Sequence, residues 1–243
     1  MIELFRGEVY RILHKRSMYK YLAVVLLGVL AITFMRSSGF NADSVVDDAG
    51  SLFQFMPALL GGYFFTSIFS DDLTSKNLIT LVGYGVSRTK IIITKMLLML
   101  VFTFSTFALL TALHLGVYAA LGFGATGPAI GYVLAFALQN LLLTLGFTTI
   151  AAIVVYGTQR PTFAAVAYFM LAFNVITMII RAVSGLLEID LSSRLISGTA
   201  GDIMMGLLVP GGMSVAPWIE YAAYLALAFG AAIFVFKRRE MEF

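Results

Sequence analysis

TKIIITKMLLMLVFTFSTFALLTALHLGVYAAL, residues 89–121, runs for 33 residues with lysines only near its start and no acidic side chain. A hydrocarbon core about 30 Å thick is crossed by about 20 apolar helical residues. A charged side chain at its centre costs about 2.5–3.5 kcal/mol on insertion scales. A helix on a water-soluble core would show a polar stripe every 3.6 residues, and none is present here. The stretch therefore reads as a membrane span. Its excess length requires a strong tilt or a projection beyond the lipid, and Arg88, Lys90 and Lys95 at its start favour projection into the cytoplasm.

Five further apolar segments flank it: Ser17–Met35, Ser51–Phe69, Ala129–Tyr156, Thr162–Ile180 and Ala216–Phe236, none with an acid at mid-depth. The 243 residues are 60% hydrophobic and 12% charged, with a mean hydropathy of +0.94. A soluble domain carries about 25% charged residues. The expected fold is thus an all-α membrane protein, one transmembrane domain over residues 1–243 with six spans. Cysteine is absent, which excludes disulfides and thiolate metal sites. The net charge of +3 does not suggest a nucleic-acid partner.

Orientation follows from the basic residues. With the N-terminus inside, 13 of the 16 Lys and Arg fall on the cytoplasmic face, and only Arg36, Arg181 and Arg194 lie outside. Both termini are then cytoplasmic, as six spans require. Ahead of the first span, Ile2, Phe5, Val9, Ile12 and Leu13 recur at helical spacing, with Arg6, Arg11, Lys15 and Arg16 largely elsewhere on the helix. Such a basic amphipathic helix lies in the interface with the lipid bilayer; a solvated N-terminal tail is the alternative. Before the sixth span, "LLEIDLSSRLI" and "DIMMGLLVPGG" are apolar but too short to cross. They suit re-entrant or interfacial helices, returned into the last span by Gly211 and Gly212 between Pro210 and Pro217.

Familiar catalytic signatures do not hold. "GFGATG" at 122–127 has the spacing of a dinucleotide loop, yet it follows a span rather than a strand and has no acid about 20 residues on. No Gly-Lys pair exists, so a Walker A loop is absent. Two histidines, His14 and His114, cannot build a multi-histidine metal site, and no metal is expected. His114, inside the third span, suits a helix-to-helix hydrogen bond. "GMSVA" at 212–216 is half of a nucleophile elbow, which leaves an intramembrane serine hydrolase using Ser214 and His114 as an alternative. A non-transporting membrane scaffold is another.

Polar residues inside the spans are few: Gln54, Gln139, Asn140 and Asn174. Interhelical hydrogen bonding is their commonest use, and lining a passage is the functional one, foremost for Gln54 and Asn174. Pro57 and Gly61-Gly62 predict a bend in the second span. Ala222, Ala226 and Gly230 give the last span a small-residue spacing that permits close helix approach, for internal packing foremost or for oligomerisation.

One charged insertion interrupts the spans: SDDLTSKNLITLVGYGVSRTKIIITK, residues 70–95. Ser70 can cap a helix that begins with Asp71-Asp72, with Leu73, Leu78, Leu81 and Val82 apolar along it. Gly83-Tyr84-Gly85 breaks that helix, and Ser87 can cap the third span. Connections usually take about 4–6 residues, so this one has room to carry force from a cytoplasmic partner; lying on the lipid surface with no further role is the alternative.

Here the chain resembles the ABC type-2 permeases, the membrane subunits of ATP-binding-cassette exporters. Asp71 or Asp72 stands for the family's acid, Leu78 and Leu81 for its apolar positions, Ser87-Arg88 for its Ser-Arg pair and Lys95 for its later Lys. Ser75-Lys76 replaces the usual Gly-Thr, and Gly85 a common Pro. The resemblance implies that this segment is a cytoplasmic coupling helix between spans 2 and 3, with Asp71, Asp72, Lys76 and Arg88 as ATPase-coupling residues. It implies no cofactor on this chain, and ATP and Mg on two separate ABC ATPase subunits. It also implies a second permease subunit, identical or homologous, and Gln54 and Asn174 on the substrate passage. A peptide or other amphipathic or hydrophobic substrate, exported across a bacterial plasma membrane, completes the expectation. The lack of mid-depth acids argues against a proton- or sodium-coupled carrier.

Overall fold

Why this chain folds as helices packed lengthwise follows from its apolar runs, whose backbone groups must be satisfied within each segment when lipid surrounds them. The structure, a computed structural model, describes residues 2–35, 42–75, 77–121, 126–187, 195–209 and 211–239. All regular structure among them is helical. In chain order the elements are α1 (Ile2–Leu13), α2 (Arg16–Met35), α3 (Ala42–Phe53), α4 (Gly62–Phe65), α5 (Asp71–Thr74), α6 (Asn77–Gly83), α7 (Arg88–Ala120), α8 (Gly127–Thr158), α9 (Pro161–Ala172), α10 (Val175–Leu187), α11 (Ile196–Leu208) and α12 (Ala216–Arg238). Five stretches are long and apolar enough to cross a membrane: Arg16–Phe34, Ser44–Thr74, Arg88–Ala120, Gly127–Thr158 and Ala216–Arg238. A sixth is gained if the bent pair α9–α10 counts as one. The protein is an all-α membrane protein.

The 32-residue helix α8 is the hub, packed against α3, α7, α9, α11 and α12. Its polar residues do not oppose burial, because Thr144 and Thr148 donate to Asn140 O and Thr144 O at 2.8 and 2.7 Å. By contrast α2 and α12 bury only about a fifth of their span windows, at 22% and 17%. They form the periphery. The stripe Ala222, Ala226 and Gly230 lies on α12's exposed side, so of the two uses its spacing permits, packing within this chain is not the one seen.

The second span departs most from its sequence reading. It starts at Ser44 and ends at Thr74, longer at both ends than 51–69. Two π-helical turns, Pro57–Gly61 and Thr66–Ser70, flank α4 within it. Pro57 has no N–H to offer the preceding turn, and the wider turns begin there. The expected bend is therefore accommodated as π-turns. Packing is close beside them: a Cβ on Gly61 would lie 2.0 Å from Tyr168 Oη, and one on Gly62 2.7 Å from the Phe169 ring. The Tyr168 hydroxyl donates to Pro57 O at 2.8 Å, and its ring stacks on Phe65 at 4.7 Å. Because the helix continues unbroken through Ser70 (φ −74°, ψ −37°, no side-chain cap), Ser70 does not start a new helix as its sequence suggests.

The fifth apolar segment breaks. α9 and α10 meet at 57° across Phe173 and Asn174, and Asn174 adopts φ 56°. Asparagine tolerates this left-handed conformation better than most residues. α11 is 13 residues long and runs beside the middle of α8. Ile196 at its start fills the space over Gly146, and Gly201 lies near the Gln139 amide. Tyr221 of α12 donates to Leu142 O at 2.6 Å, fixing α12 to the same stretch of α8.

Candidate functional site

Two places gather the polar side chains singled out in the sequence. The first is at the end of the bundle that holds α1, α5, α6, the start of α7 and the end of α12. α1 lays Ile12 into the core, with Phe5 and Val9 packed against it. The same inward face carries Glu8, 5% exposed, which the apolar spacing alone did not reveal. Ile2 and Leu13, by contrast, are exposed.

Around Glu8 a closed set of ion pairs forms. The Arg11 guanidinium donates to Glu8 Oε2 from Nη2 at 2.7 Å and from Nε at 3.1 Å. Arg11 Nη2 also lies 3.2 Å from Asp72 Oδ1. Lys95 Nζ reaches Glu8 Oε2 at 3.0 Å and pairs with Asp72 as well. Lys15 pairs with Asp71. Two carboxylates, Glu8 and Asp72, thus face two cations, Lys95 and Arg11. Burial of this kind is tolerated only when charges are paired. Burial by itself would raise the Glu8 pKa, but the positive charges of Lys95 and Arg11 outweigh it and hold the carboxyl below its ordinary value. Burial likewise works to lower Arg11, and Asp72 and Glu8 overcome it, so its pKa is raised.

A docking helix that began at Asp71 would present both acids outward. Here they continue the second span by one more turn, which carries Asp72 onto the face toward α1 and α7. It is wholly buried. Asp71 is half-exposed but paired with Lys15. The expected single helix from Asp71 to Val82 is split into α5 and α6 around Ser75 and Lys76, and Lys76 lies outside the described residues.

Arg88 also faces its own chain. Its Nη1 donates to Phe236 O, Lys237 O and Arg239 O at 2.6, 3.0 and 2.7 Å, and its guanidinium lies 5.4 Å from the Phe236 ring. These are the carbonyls that a helix C-terminus leaves unpaired, so Arg88 caps α12. Ser87 does cap α7, accepting from Lys90 N at 3.4 Å. Gly85 takes φ 80° in the turn before it, a conformation costly for other residues. Among the described residues of this segment the exposed large side chain is Tyr84, 84% exposed at the turn, a residue the sequence reading used only as part of a helix break.

The second place is a cavity of about 230 Å³ among α3, the first π-turn, α8 and the α9–α10 break. Gln54, Gln139, Asn140 and Asn174 line it together, with Phe136 and Phe147 among its apolar walls. Gln54 sits in the non-helical turn after α3, and Asn174 in the break after α9. Asn140 donates to Phe136 O at 2.9 Å. The amides of Gln54, Gln139 and Asn174 have no hydrogen bond among the described residues. The structure thus brings Gln54 and Asn174 into one cavity and adds Gln139 and Asn140 to them.

His114 and Ser214 are not joined. The buried His114 donates from Nε2 to Val45 O at 3.0 Å, a helix-to-helix bond, while the exposed Ser214 accepts from Ala216 N at 3.3 Å. The lengthened second span also contains an acid the shorter sequence segment excluded: Asp48, 4% exposed, accepts from the Tyr118 hydroxyl beside His114. The absence of embedded acids, used above against ion coupling, therefore does not hold at the far end of this span. Within the motif 122–127, residues 122–125 lie outside the described set, as do 188–194 and Pro210. No group of three metal-binding side chains occurs among the described residues.

Fold and sites together define an all-α membrane protein with one buried ionic cluster at an end and one uncharged polar cavity midway. Compared with known protein families and with curated proteins, the chain finds no match.

Proposed function

We propose that this chain is the permease subunit of an ABC exporter in a bacterial plasma membrane, with both termini cytoplasmic and ATP and Mg held by two separate ATPase subunits. A second permease subunit completes the transporter. The observation that carries the reading is the ionic cluster. Through Glu8, Arg11, Lys95 and Asp72, the segment α5–α6 is tied to α1 and α7, and through Arg88 the adjoining turn is tied to α12. A push on α5–α6 is delivered to several helices at once, which is what a coupling element driven by an ATPase requires.

On this reading Asp72 and Arg88 transmit force inside the subunit rather than touching the ATPase, and the exposed Tyr84 turn is the docking surface. α1 is then the interfacial helix, α11 a re-entrant one, and the amide cavity lies on the passage of a peptide or other amphipathic substrate. The test is co-purification in mild detergent from the source cell, with the captured proteins searched for a Walker-A-containing ATPase. Tyr84→Ala should reduce capture of the ATPase. Asp72→Asn should leave capture intact and lower substrate-stimulated ATP hydrolysis. Failure to recover any Walker-A-containing ATPase refutes the proposal.

A further inference from the structure

Among the described Asn and Gln residues, Asn77 and Gln159 lie at the α1 end, and the other four all line a single cavity. None of the residues lining that cavity is ionisable. Only Asn140 is buried; Gln139 and Asn174 are half-buried and Gln54 is exposed at the cavity's open side. Gln54, Gln139 and Asn174 have no side-chain hydrogen bond among the described residues, so their amides are free to meet a ligand. Two of the four, Gln54 and Asn174, are held at breaks in otherwise continuous helices, where their backbone N–H groups stay bonded to Gly50 O and Leu171 O at 3.2 and 2.9 Å and only the side-chain amides are left to face the cavity.

From this geometry we propose that the cavity lined by Gln54, Gln139, Asn140 and Asn174 binds an uncharged peptide segment through its backbone amides. A carboxamide offers one acceptor and two donors in a plane, the same groups a peptide bond presents in return. The site has no counter-charge to hold an ion, and a charged side chain entering it would be desolvated without compensation. Its apolar walls at Phe136 and Phe147 suit apolar side chains between the amide contacts. The volume of about 230 Å³ is below the roughly 300–1,000 Å³ of sites that enclose a whole small molecule. It is sized to grip a segment of a longer chain and let it pass.

The site deepens the transport reading above and rests on it for its role, but its test needs no ATPase. The full chain contains no cysteine, so a Leu143→Cys reporter in the cavity wall reacts alone with N-ethylmaleimide in lipid nanodiscs. The probe is N-acetyl-Leu-Ala-Leu-amide. It should slow labelling about fivefold or more when saturating, whereas the same peptide with a central Lys or Asp should change the rate less than about twofold. Gln54→Leu or Gln139→Leu should weaken protection about two- to tenfold each, with helicity unchanged. Asn174→Gly, which keeps the left-handed backbone, should do the same. Saturation transfer to the peptide methyls on the reporter-free chain gives a second readout. Equal protection by charged peptides, stronger protection by methyl glucoside, or no saturation transfer from the neutral peptide overturns the proposal. Loss of ATPase capture with peptide protection intact would instead overturn only the exporter reading.

Discussion

Replacing Lys95 with methionine tests the buried ionic cluster most directly. Lys95 is 2% exposed and stands between Glu8 at 3.0 Å and Asp72. Without it, two buried carboxylates share one cation, Arg11, whose side chain is 35% exposed. At an effective dielectric constant of 20, two unit charges 3 Å apart interact by about 5 kcal/mol. Removing one partner of a buried pair typically costs about 3–5 kcal/mol. Both figures are a large share of the roughly 5–15 kcal/mol that holds a folded protein together. The double variant Asp72→Asn with Lys95→Met removes one charge of each sign and leaves Glu8 with Arg11. Its cost should fall below that of Lys95→Met alone, because no unpaired carboxylate remains. Reversible unfolding by SDS in mixed micelles, followed by far-UV helicity, measures both, and limited proteolysis reports release of α1. Lys95→Met within about 0.5 kcal/mol of the wild type, against the expected buried-pair loss, would refute the cluster. So would strictly additive single changes, since groups in one network should couple.

The other perturbations follow from single contacts. Since the Glu8 pKa is lowered on folding, its contribution is fully present above the unfolded value near 4.5 and is lost as pH falls through the folded value beneath it. α1 should therefore resist proteolysis near neutral pH and become progressively susceptible as the pH is taken beneath 4.5; Glu8→Gln should remove that step, which a pH series of the same digestion checks. Gly61→Val should fail to accumulate as folded protein, because its Cβ would lie 2.0 Å from Tyr168 Oη and 2.7 Å from Thr144 Cγ2; detergent-soluble yield measures it. Pairing it with Tyr168→Phe should restore little, since Thr144 still obstructs. Arg88→Lys should release the end of α12, because an ammonium cannot reproduce the guanidinium fork. The expected loss is about 1–3 kcal/mol, read by unfolding and by hydrogen exchange at residues 236–239.

Much of the fold was legible because lipid imposes a simple rule on each span, length and apolar content. Thr89–Leu121 and Ala129–Tyr156 differ from α7 and α8 by only one or two residues at each end. What escaped was set by contacts between distant segments. Asp71 and Asp72 look like a helix start, and they extend a helix instead, with cations from α1 and α7 making the burial of Asp72 tolerable. Glu8 sits among basic neighbours in sequence and gives no sign that it faces inward. The break at Asn174 has no glycine or proline to mark it. Gln54 and Asn174 were visible as rare polar residues, but their convergence with Gln139 and Asn140 depends on how four segments pack around α8, which periodicity does not encode.

The ionic cluster also imposes an order on biogenesis. Glu8, Arg11 and Asp72 are all made before Lys95, which follows Asp72 by 23 residues. Chain growth at roughly 5–20 residues per second leaves an interval of about 1–5 seconds in which two acids share a single buried-side cation. The set of four is complete only once Lys95, on the third long hydrophobic segment, has been made. The inward face of the most N-terminal helix thus depends for its charge balance on a residue from the middle of the chain.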